Sequence, residues 1–457
     1  MDNPAQARVA KARPGRWLPR DQAVVDRWIR KLKQRVAADR ARDLVPPIAE
    51  FKAMVDSDRV LHAQVEAMFV EALAHEKLTP LGQLEVRTFE EFLTLLNAIM
   101  TTAPEAYQDT KSHEPSGLIG FPINALLDWP MATESGYVVF SNALVNQQFK
   151  KILTYWSEFL VSKDSRYVLT QPPHKLNPET EIVPWLGDEA KAEMVDVAKT
   201  ALGEGSNPTP DSFEKIFNCD PGDPYYGFQS WDDFFTRTFC SGVRPVSGEG
   251  DDSVIVNACE SAPLQVSRNV ALDEEFWLKG QPYSLENMLD FDETTAQFAG
   301  GTVYQAFLSA LSFHRWNSPV SGVVKRTRVV NGSYYLENLY EGFKNPSGAD
   351  PSAPNDSQPF LTAVATRALI FIECDNPRVG LMCVMPVGMA EVSSCQITVK
   401  EGQRVKKGEQ LGMFHFGGST HCLIFRPGVE LDFHFYGQTP SLDATNMRVN
   451  TALAKVL

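Results

Sequence analysis

Apolar residues in the first part of the chain recur at steps of three and four residues, which is the spacing of a helix with one buried face. The pattern runs through 46–101 and again through 139–161. In the first stretch it is carried by Phe51, Met54, Val55, Val60, Leu61, Val65, Met68 and Phe69. We therefore predict a helical domain over 46–202.

The pattern changes after a segment rich in Gly, Pro, Asn and Asp at 203–227. Short runs containing β-branched residues follow at 253–256, 323–324, 368–372 and 381–384. Such runs, separated by Gly and Pro, are typical of strands. The chain is thus predicted to be an α+β protein in which 225–457 form a mostly β domain. Residues 343–359, rich in Pro, Ser, Asp and Asn, are expected to form either a mobile lid or a disordered loop.

Charge changes this picture at the N-terminus. The 457 residues carry a formal charge of −14, yet residues 1–42 alone are net positive by 8. This basic arm is assigned to 1–45. Its apolar residues are spaced so that they would form a stripe on one face of a helix, namely Val24, Val25, Trp28, Leu32 and Val36. The arm is expected to dock its apolar stripe on the acidic body; a helix that binds a membrane surface or an acidic partner is the alternative.

The acidic balance excludes general nucleic-acid binding, which needs a basic surface. No apolar run reaches the 18 residues of a membrane-spanning helix. The seven cysteines are odd in number and lack a CxxC pair, and the eight histidines show no HExxH spacing. We therefore expect reduced thiols, no metal site and a cytoplasmic protein.

Residues 399–412 alternate short apolar runs with glycines that suit tight turns. This string resembles the hammerhead hairpin of biotinyl and lipoyl carrier domains. The modifiable lysine turn of those carriers has no match here, so a carrier function is not expected. A barrel-sandwich-like topology in the β domain is the part of the resemblance that we retain.

The sequence Gly417-Gly418-Ser419-Thr420 follows that hairpin. A Ser hydroxyl in a strained Gly-Ser turn can attack the preceding carbonyl, and the resulting ester can eliminate. Residue 419 would then become dehydroalanine and hydrolyse to a pyruvoyl group. Gly418 leaves the carbonyl unhindered, while a base and oxyanion donors must be supplied by the fold.

Ordered motifs in this half resemble the phosphatidylserine decarboxylase family. They lie at 228–237 with Arg244-Pro245, 278–285, 313–322, 387–392 and 417–420. Segments 50–53, 161–166, 258–261 and 414–419 narrow the resemblance to the soluble fungal L-tryptophan decarboxylases. The family's cleavage site falls on Gly418 and Ser419, which implies chains of 418 and 39 residues.

The resemblance implies a covalent pyruvoyl cofactor derived from Ser419, with no pyridoxal phosphate. Its ketone would condense with the substrate amine and accept the electrons released with CO₂. By resemblance, His314 is the acid that protonates the α-carbon. The family's self-cleavage triad of Asp, His and Ser maps onto Glu260, Asn317 and Ser419.

Glu260 and Asn317 both differ from the residues that the family has at these positions, and the two differences have different consequences. Glu260 keeps a carboxylate and so keeps a charge-orienting role. Asn317 cannot act as a base near neutral pH. His314, His415 and His421 are therefore open as substitutes, the last two because they flank Ser419 in sequence.

These inferences predict a self-processing decarboxylase of an aromatic L-amino acid, with L-tryptophan as first candidate. Phosphatidylserine decarboxylation is the alternative, and a ligand-binding relative that never self-cleaves is a second one. The expected partner is a small amino acid, without nucleic acid or a membrane span. An oligomer is possible.

Overall fold

The computed structural model describes residues 17–19, 21–38, 43–111, 115–204, 208–274, 281–351, 355–391, 394–415 and 419–457, with the backbone alone for 115–119. The chain divides into two compact units. The first comprises 1–190, 223–234 and 333–358, and the second comprises 191–222, 235–332 and 359–457.

Helices dominate the first part of the chain, as the apolar periodicity predicts. The longer ones are Gln22–Ala38, Pro46–Ser57, Arg59–Ala74, Phe89–Ile99, Pro122–Met131, Glu134–Ser141, Ala143–Leu160 and Asp188–Thr200. Short α-helices follow at Tyr167–Thr170, Phe213–Ile216, Trp231–Phe235, Leu285–Met288 and Gln358–Val364. Single 3₁₀ turns lie at Glu76–Leu78, Lys163–Arg166, Thr295–Phe298, Leu339–Glu341 and Asn355–Ser357.

The first unit also contains a sheet that the helical prediction missed. Its strands are β1 (Glu105–Asp109), β2 (Pro115–Ile119), β3 (His174–Lys175) and β4 (Thr180–Val183), in the order β2-β1-β4-β3. The strands have at most five residues, and β1 has no β-branched side chain. Windows this short carry too little periodicity to separate a strand from a loop.

The apolar stripe of the basic arm is docked along one helix, as expected, while residues 1–16, 20 and 39–42 of the arm lie outside the described residues. Helix Gln22–Ala38 buries Val24, Val25, Trp28, Ile29 and Leu32. Its basic face is anchored too: Lys33 forms an ion pair with Glu91 (2.6 Å), and Arg35 donates to the carbonyl of Ala98 (2.9 Å). The stripe is therefore part of the first unit's core.

The segment 343–359, of which 352–354 lie outside the described residues, has apolar side chains packed in the first unit, while its role as a lid stays a prediction. Phe343 stacks on His75 with ring centroids 4.9 Å apart and packs against a buried cluster that includes Trp129 and Ala349. Two apolar anchors thus hold a polar segment to the first unit.

The second unit is built on strands, and four of them lie at the positions that the β-branched runs predict. The strands are β5 (Val254–Val256), β6 (Ala262–Val270), β7 (Gly301–Leu308), β8 (Arg315–Asn317), β9 (Gly322–Val330), β10 (Arg367–Cys374), β11 (Leu381–Gly388), β12 (Ser394–Ile397), β13 (Arg404–Val405), β14 (Gln410–His415), β15 (Ser419–Phe425), β16 (Leu431–Phe433) and β17 (Ala452–Val456).

Three antiparallel sheets result. Seven strands form one in the order β13-β9-β10-β11-β15-β7-β6, and the others are β12-β14-β8 and β16-β17-β5. Among the described strands none of these sheets closes into a barrel. The chain is therefore an α+β protein with a helical N-terminal region and large β-sheets.

The prediction of a hairpin at 399–412 is wrong. Gly402 and Gly408 do adopt positive φ (79° and 83°), but the strands beside them do not pair with each other. Strand β13 pairs with β9, and β14 pairs with β12 and β8. Turn glycines indicate where a chain reverses, whereas strand pairing depends on contacts with residues far away in sequence.

All seven cysteines lie in the described part of the chain and are free thiols. Within the described residues, no helix is both long enough and apolar enough to cross a membrane.

Candidate active site

Ser419 is the first residue of β15, an inner strand of the seven-stranded sheet. It lies opposite Leu308 of β7 and Gly388 of β11, and its side chain is fully buried. Gly417 and Gly418, the other residues of the predicted cleavage site, lie outside the described residues. What the structure defines is therefore the serine side of the predicted bond.

Strand alternation decides which side chains accompany Ser419. Successive residues of a strand point to opposite faces, so Ser419 and His421 share one face, while Thr420 points to the other. His421 is fully buried opposite Ala306 and Pro386. The sheet thus places an imidazole two residues from the predicted nucleophile.

Neither of these two polar side chains is satisfied. Ser419 Oγ and both ring nitrogens of His421 are buried, and none of the three has a hydrogen bond of normal distance and angle to a described residue. The Ala306 carbonyl lies near the His421 ring and opposes, without cancelling, the effect of burial on its pKa. A buried polar group without a partner costs about 1–3 kcal/mol, and native proteins retain few of them. Burial also lowers the pKa of His421 to about 3, so its imidazole is neutral at physiological pH.

The opposite face holds a fully connected polar chain. Gln265 Nε2 donates to the Tyr283 hydroxyl (2.6 Å), which donates to Gln305 Oε1 (2.6 Å). Gln305 Nε2 donates to Thr420 Oγ1 (3.0 Å), and that hydroxyl donates to the Ala306 carbonyl (2.9 Å). This chain holds Thr420, and with it the start of β15, in one position.

His314 lies in the loop that joins β7 to β8. Its ring is fully buried and stacks on Phe235 with centroids 4.1 Å apart, and its carbonyl accepts from the Phe414 N–H (2.9 Å). Burial, and to a lesser degree the charge of Arg237, lower the pKa of His314 well below its ordinary value. The imidazole is therefore neutral in the folded protein.

Arg237 is a buried cation that sequence reasoning did not single out. One of its terminal nitrogens donates to the Leu311 carbonyl (2.7 Å), and the guanidinium carbon lies 4.5 Å from the centroid of the Phe217 ring. Burial lowers its pKa to about 9, so it stays charged at neutral pH. Phe235 and Arg237 both belong to the motif at 228–237, and that membership was the available signal.

Glu260 is held by Arg244. The guanidinium donates through Nε and Nη2 to both carboxylate oxygens (3.0 and 2.5 Å), and the Val449 N–H donates to Oε2 (2.8 Å). Within the described residues, the Glu260 carboxylate accepts these hydrogen bonds from Arg244 and Val449, and none from a histidine or from Ser419. The charge-orienting role of Glu260 stays a prediction.

Asn317 is connected to Arg244 through Asn450, the residue that follows Val449. Its Nδ2 donates to Asn450 Oδ1 (3.1 Å), and Asn450 Nδ2 donates to the Arg244 carbonyl (3.2 Å). The structure thus brings the predicted triad positions Glu260 and Asn317 together around residues 449–450. The Asn317 amide donates a hydrogen bond here, but it has no basic nitrogen that could take a proton from Ser419.

His415 is set apart from this arrangement. It ends β14 in the three-stranded sheet β12-β14-β8, and its Nε2 lies 2.8 Å from Gln396 Oε1. Proximity to Ser419 in sequence therefore does not translate into a shared sheet face for His415, as it does for His421.

The buried histidines predict an acid-sensitive fold. Because their folded pKa values are lowered, the unfolded chain binds protons below about pH 6.5 that the folded chain excludes. Stability is complete above that pH and declines as the pH falls, by about 1 kcal/mol per pH unit for each histidine. Urea midpoints of an uncleaved Ser419→Ala protein from pH 7.5 to 5 measure this.

A matched pair of variants isolates one histidine. In that background, His421→Leu should flatten the decline, while His434→Gln, which changes an exposed histidine, should leave it unaltered. Equal slopes in all three proteins would contradict a buried, neutral His421.

Comparison with known proteins identifies the class to which this fold and site belong. Two family models described as phosphatidylserine decarboxylase match residues 45–194 and 231–440. The chain belongs to the phosphatidylserine decarboxylase family. It is accordingly an enzyme, a self-processing carboxy-lyase.

Named relatives cover most of the chain. Decarboxylase iboD of Amanita muscaria is 38% identical over 373 residues, which are 79% of this chain and 99% of the relative. An L-tryptophan decarboxylase of Psilocybe cubensis is 34% identical over 425 residues, 90% of this chain and 88% of the relative. Phosphatidylserine decarboxylase proenzyme 3 of Schizosaccharomyces pombe is 27% identical over 206 residues, 45% of this chain and 20% of that protein.

Proposed function

We propose that this enzyme decarboxylates an aromatic L-amino acid, with L-tryptophan as the first candidate, to the amine and CO₂. It acts after self-cleavage between Gly418 and Ser419, which converts residue 419 to a pyruvoyl group. The observation that carries the proposal is the buried Ser419 hydroxyl, which lacks a hydrogen-bond partner in the described chain and stands at the start of an inner strand.

Residue 419 suits such a group. Pairing of β15 with both β7 and β11 holds it after the chain is cut, and the anchored Thr420 fixes the amide next to it. When present, the pyruvoyl group supplies an electron sink for the pair left by departing CO₂. The enzyme's own residues must then orient the substrate, exclude water and deliver a proton.

His314 is the proton donor in this proposal. Its stacking on Phe235 fixes the ring plane, and its burial excludes water from the transfer. A neutral imidazole is a weak acid, and a substrate carboxylate entering beside Arg237 offsets that cation, which after burial is the lesser of the two causes that lower the pKa of His314. Substrate binding itself thereby favours the protonated acid.

An aromatic cluster adjoins the Ser419 face and supports an aromatic substrate. The Tyr304 ring lies edge-on to His421 at 6.0 Å between centroids, and it contacts Phe433 and Phe435 at 5.8 and 6.2 Å. Phe433 and Phe435 are half-buried. Rings pack favourably against rings in offset and edge-on arrangements, so this cluster suits an indole better than a lipid headgroup.

Assays of CO₂ release with the twenty amino acids and with phosphatidylserine vesicles test the substrate. We expect turnover of tryptophan without detergent, lipid or added pyridoxal phosphate. Borohydride added with substrate should inactivate the enzyme and label the chain 419–457. Turnover of the vesicles alone would replace the proposal by its runner-up, and a label on a lysine would refute the pyruvoyl assignment.

A further inference from the structure

We propose that His421 is the general base of self-cleavage, a role that rests on the proposed function. The two side chains on the same face of β15, Ser419 and His421, are buried and lack hydrogen-bond partners within the described chain. Each buried polar group without a partner calls for an explanation, and two of them side by side on one strand face indicate chemistry between them.

The separation suits one hydrogen bond. Residues two apart on a strand are separated by roughly 7 Å along the chain, and their side chains stand in parallel on the same face. The Ser419 hydroxyl and the longer His421 ring extend beyond their Cβ atoms, so rotation toward each other shortens this separation toward the roughly 2.6–3.2 Å that proton transfer needs. The residues opposite them are Leu308 and Gly388 for Ser419, and Ala306 and Pro386 for His421, and all four are apolar.

The other candidates are committed elsewhere. Asn317 has no basic nitrogen and donates to Asn450. His415 lies in another sheet against Gln396. His314 stacks on Phe235 in the loop before β8, where it serves the later proton transfer. His421 alone of these shares the strand face of Ser419.

Self-cleavage with His421 as the base consumes only water. His421 takes the Ser419 hydroxyl proton as Oγ bonds to the Gly418 carbonyl carbon; the C–N bond of that peptide breaks, and the proton passes to the freed Ser419 nitrogen. Loss of the α-proton then expels the Gly418 carboxylate from the ester. Water hydrolyses the resulting dehydroalanine, through its imine tautomer, and releases ammonia.

The low basicity of His421 is compatible with this task. The imidazolium exists only until the nitrogen accepts the proton, so no net charge stays buried. Maturation also occurs once for each molecule, and a base of modest strength is sufficient for a single event. General-base assistance contributes roughly 10²- to 10⁴-fold in rate.

A time course of chain splitting in freshly translated protein tests the assignment. We expect His421→Gln to slow splitting by roughly 10²- to 10⁴-fold, and His415→Gln to change it by less than about twofold. Splitting of His421→Gln at the wild-type rate would overturn the role of His421. A wild-type chain that never splits would instead overturn the proposed function, so the two failures are distinguishable.

Two further measurements guard against misfolding of the variant. Triazolylalanine at position 421 keeps the imidazole shape with lower basicity, so it should also slow splitting; an unchanged rate would refute a base role. Hydroxylamine cleaves esters, and with a base needed for the first step it should release no chain from His421→Gln. Rapid hydroxylamine cleavage would show that the ester forms without His421 and would overturn the proposal.

Discussion

Ser419→Ala is expected to remain a single chain of 457 residues and to show no decarboxylation above background. Alanine has no hydroxyl to attack the Gly418 carbonyl, so no ester forms and no pyruvoyl group arises. Both the cut and the cofactor are therefore lost together. A denaturing gel and an intact-mass measurement, followed by an assay of CO₂ release, measure the two effects.

The fold should survive this change, because the serine hydroxyl makes no hydrogen bond within the described chain and Ala is smaller by one atom. Ser347→Ala, which alters an exposed serine of the other unit, serves as the control and should split and turn over normally. Cleavage of Ser419→Ala at the same bond would exclude Ser419 as the nucleophile.

His314→Gln is expected to reduce decarboxylation by matured enzyme by roughly 10²- to 10⁴-fold, the usual contribution of a positioned acid. Glutamine retains a polar side chain of similar length but cannot transfer a proton. Chain splitting should continue, because we assign that step to His421. Parallel measurements of kcat and of the split fraction separate the two functions.

The exposed His434 provides the matched control, since His434→Gln should leave both measurements unchanged. If His314→Gln stops splitting as well, one histidine serves both steps and the division of roles is wrong. If its kcat equals that of the wild type, another group donates the proton to the α-carbon.

Local pattern predicted much of the architecture. Periodicity over ten or more residues is strong enough to define helices such as Ala143–Leu160, and compact β-branched runs define strands such as β10 and β11. It failed for β1 and β3, whose few residues leave no period to read. It also failed for the pairing of β13 with β9 and of β14 with β8, whose partners lie roughly eighty and more residues away.

Residue chemistry alone pointed to Ser419 and His314, because an attackable Gly-Ser bond and an ordered set of motifs are written along the chain. It placed His415 and His421 on equal terms, since each lies a few residues from Ser419. The tertiary structure separates them. A strand alternates its faces every residue, so His421 joins Ser419, while His415 ends a strand of another sheet.

The surroundings of the ionisable side chains are also decided only by the tertiary structure. Sequence identifies Glu260, Arg237 and His314 as ionisable groups, but their partners and pKa values depend on what is packed around them. Arg244 is bound to Glu260, and burial beside Arg237 makes His314 neutral. Desolvation and charge act over a few ångströms in space, and residues far apart in the chain come within that range only when it folds.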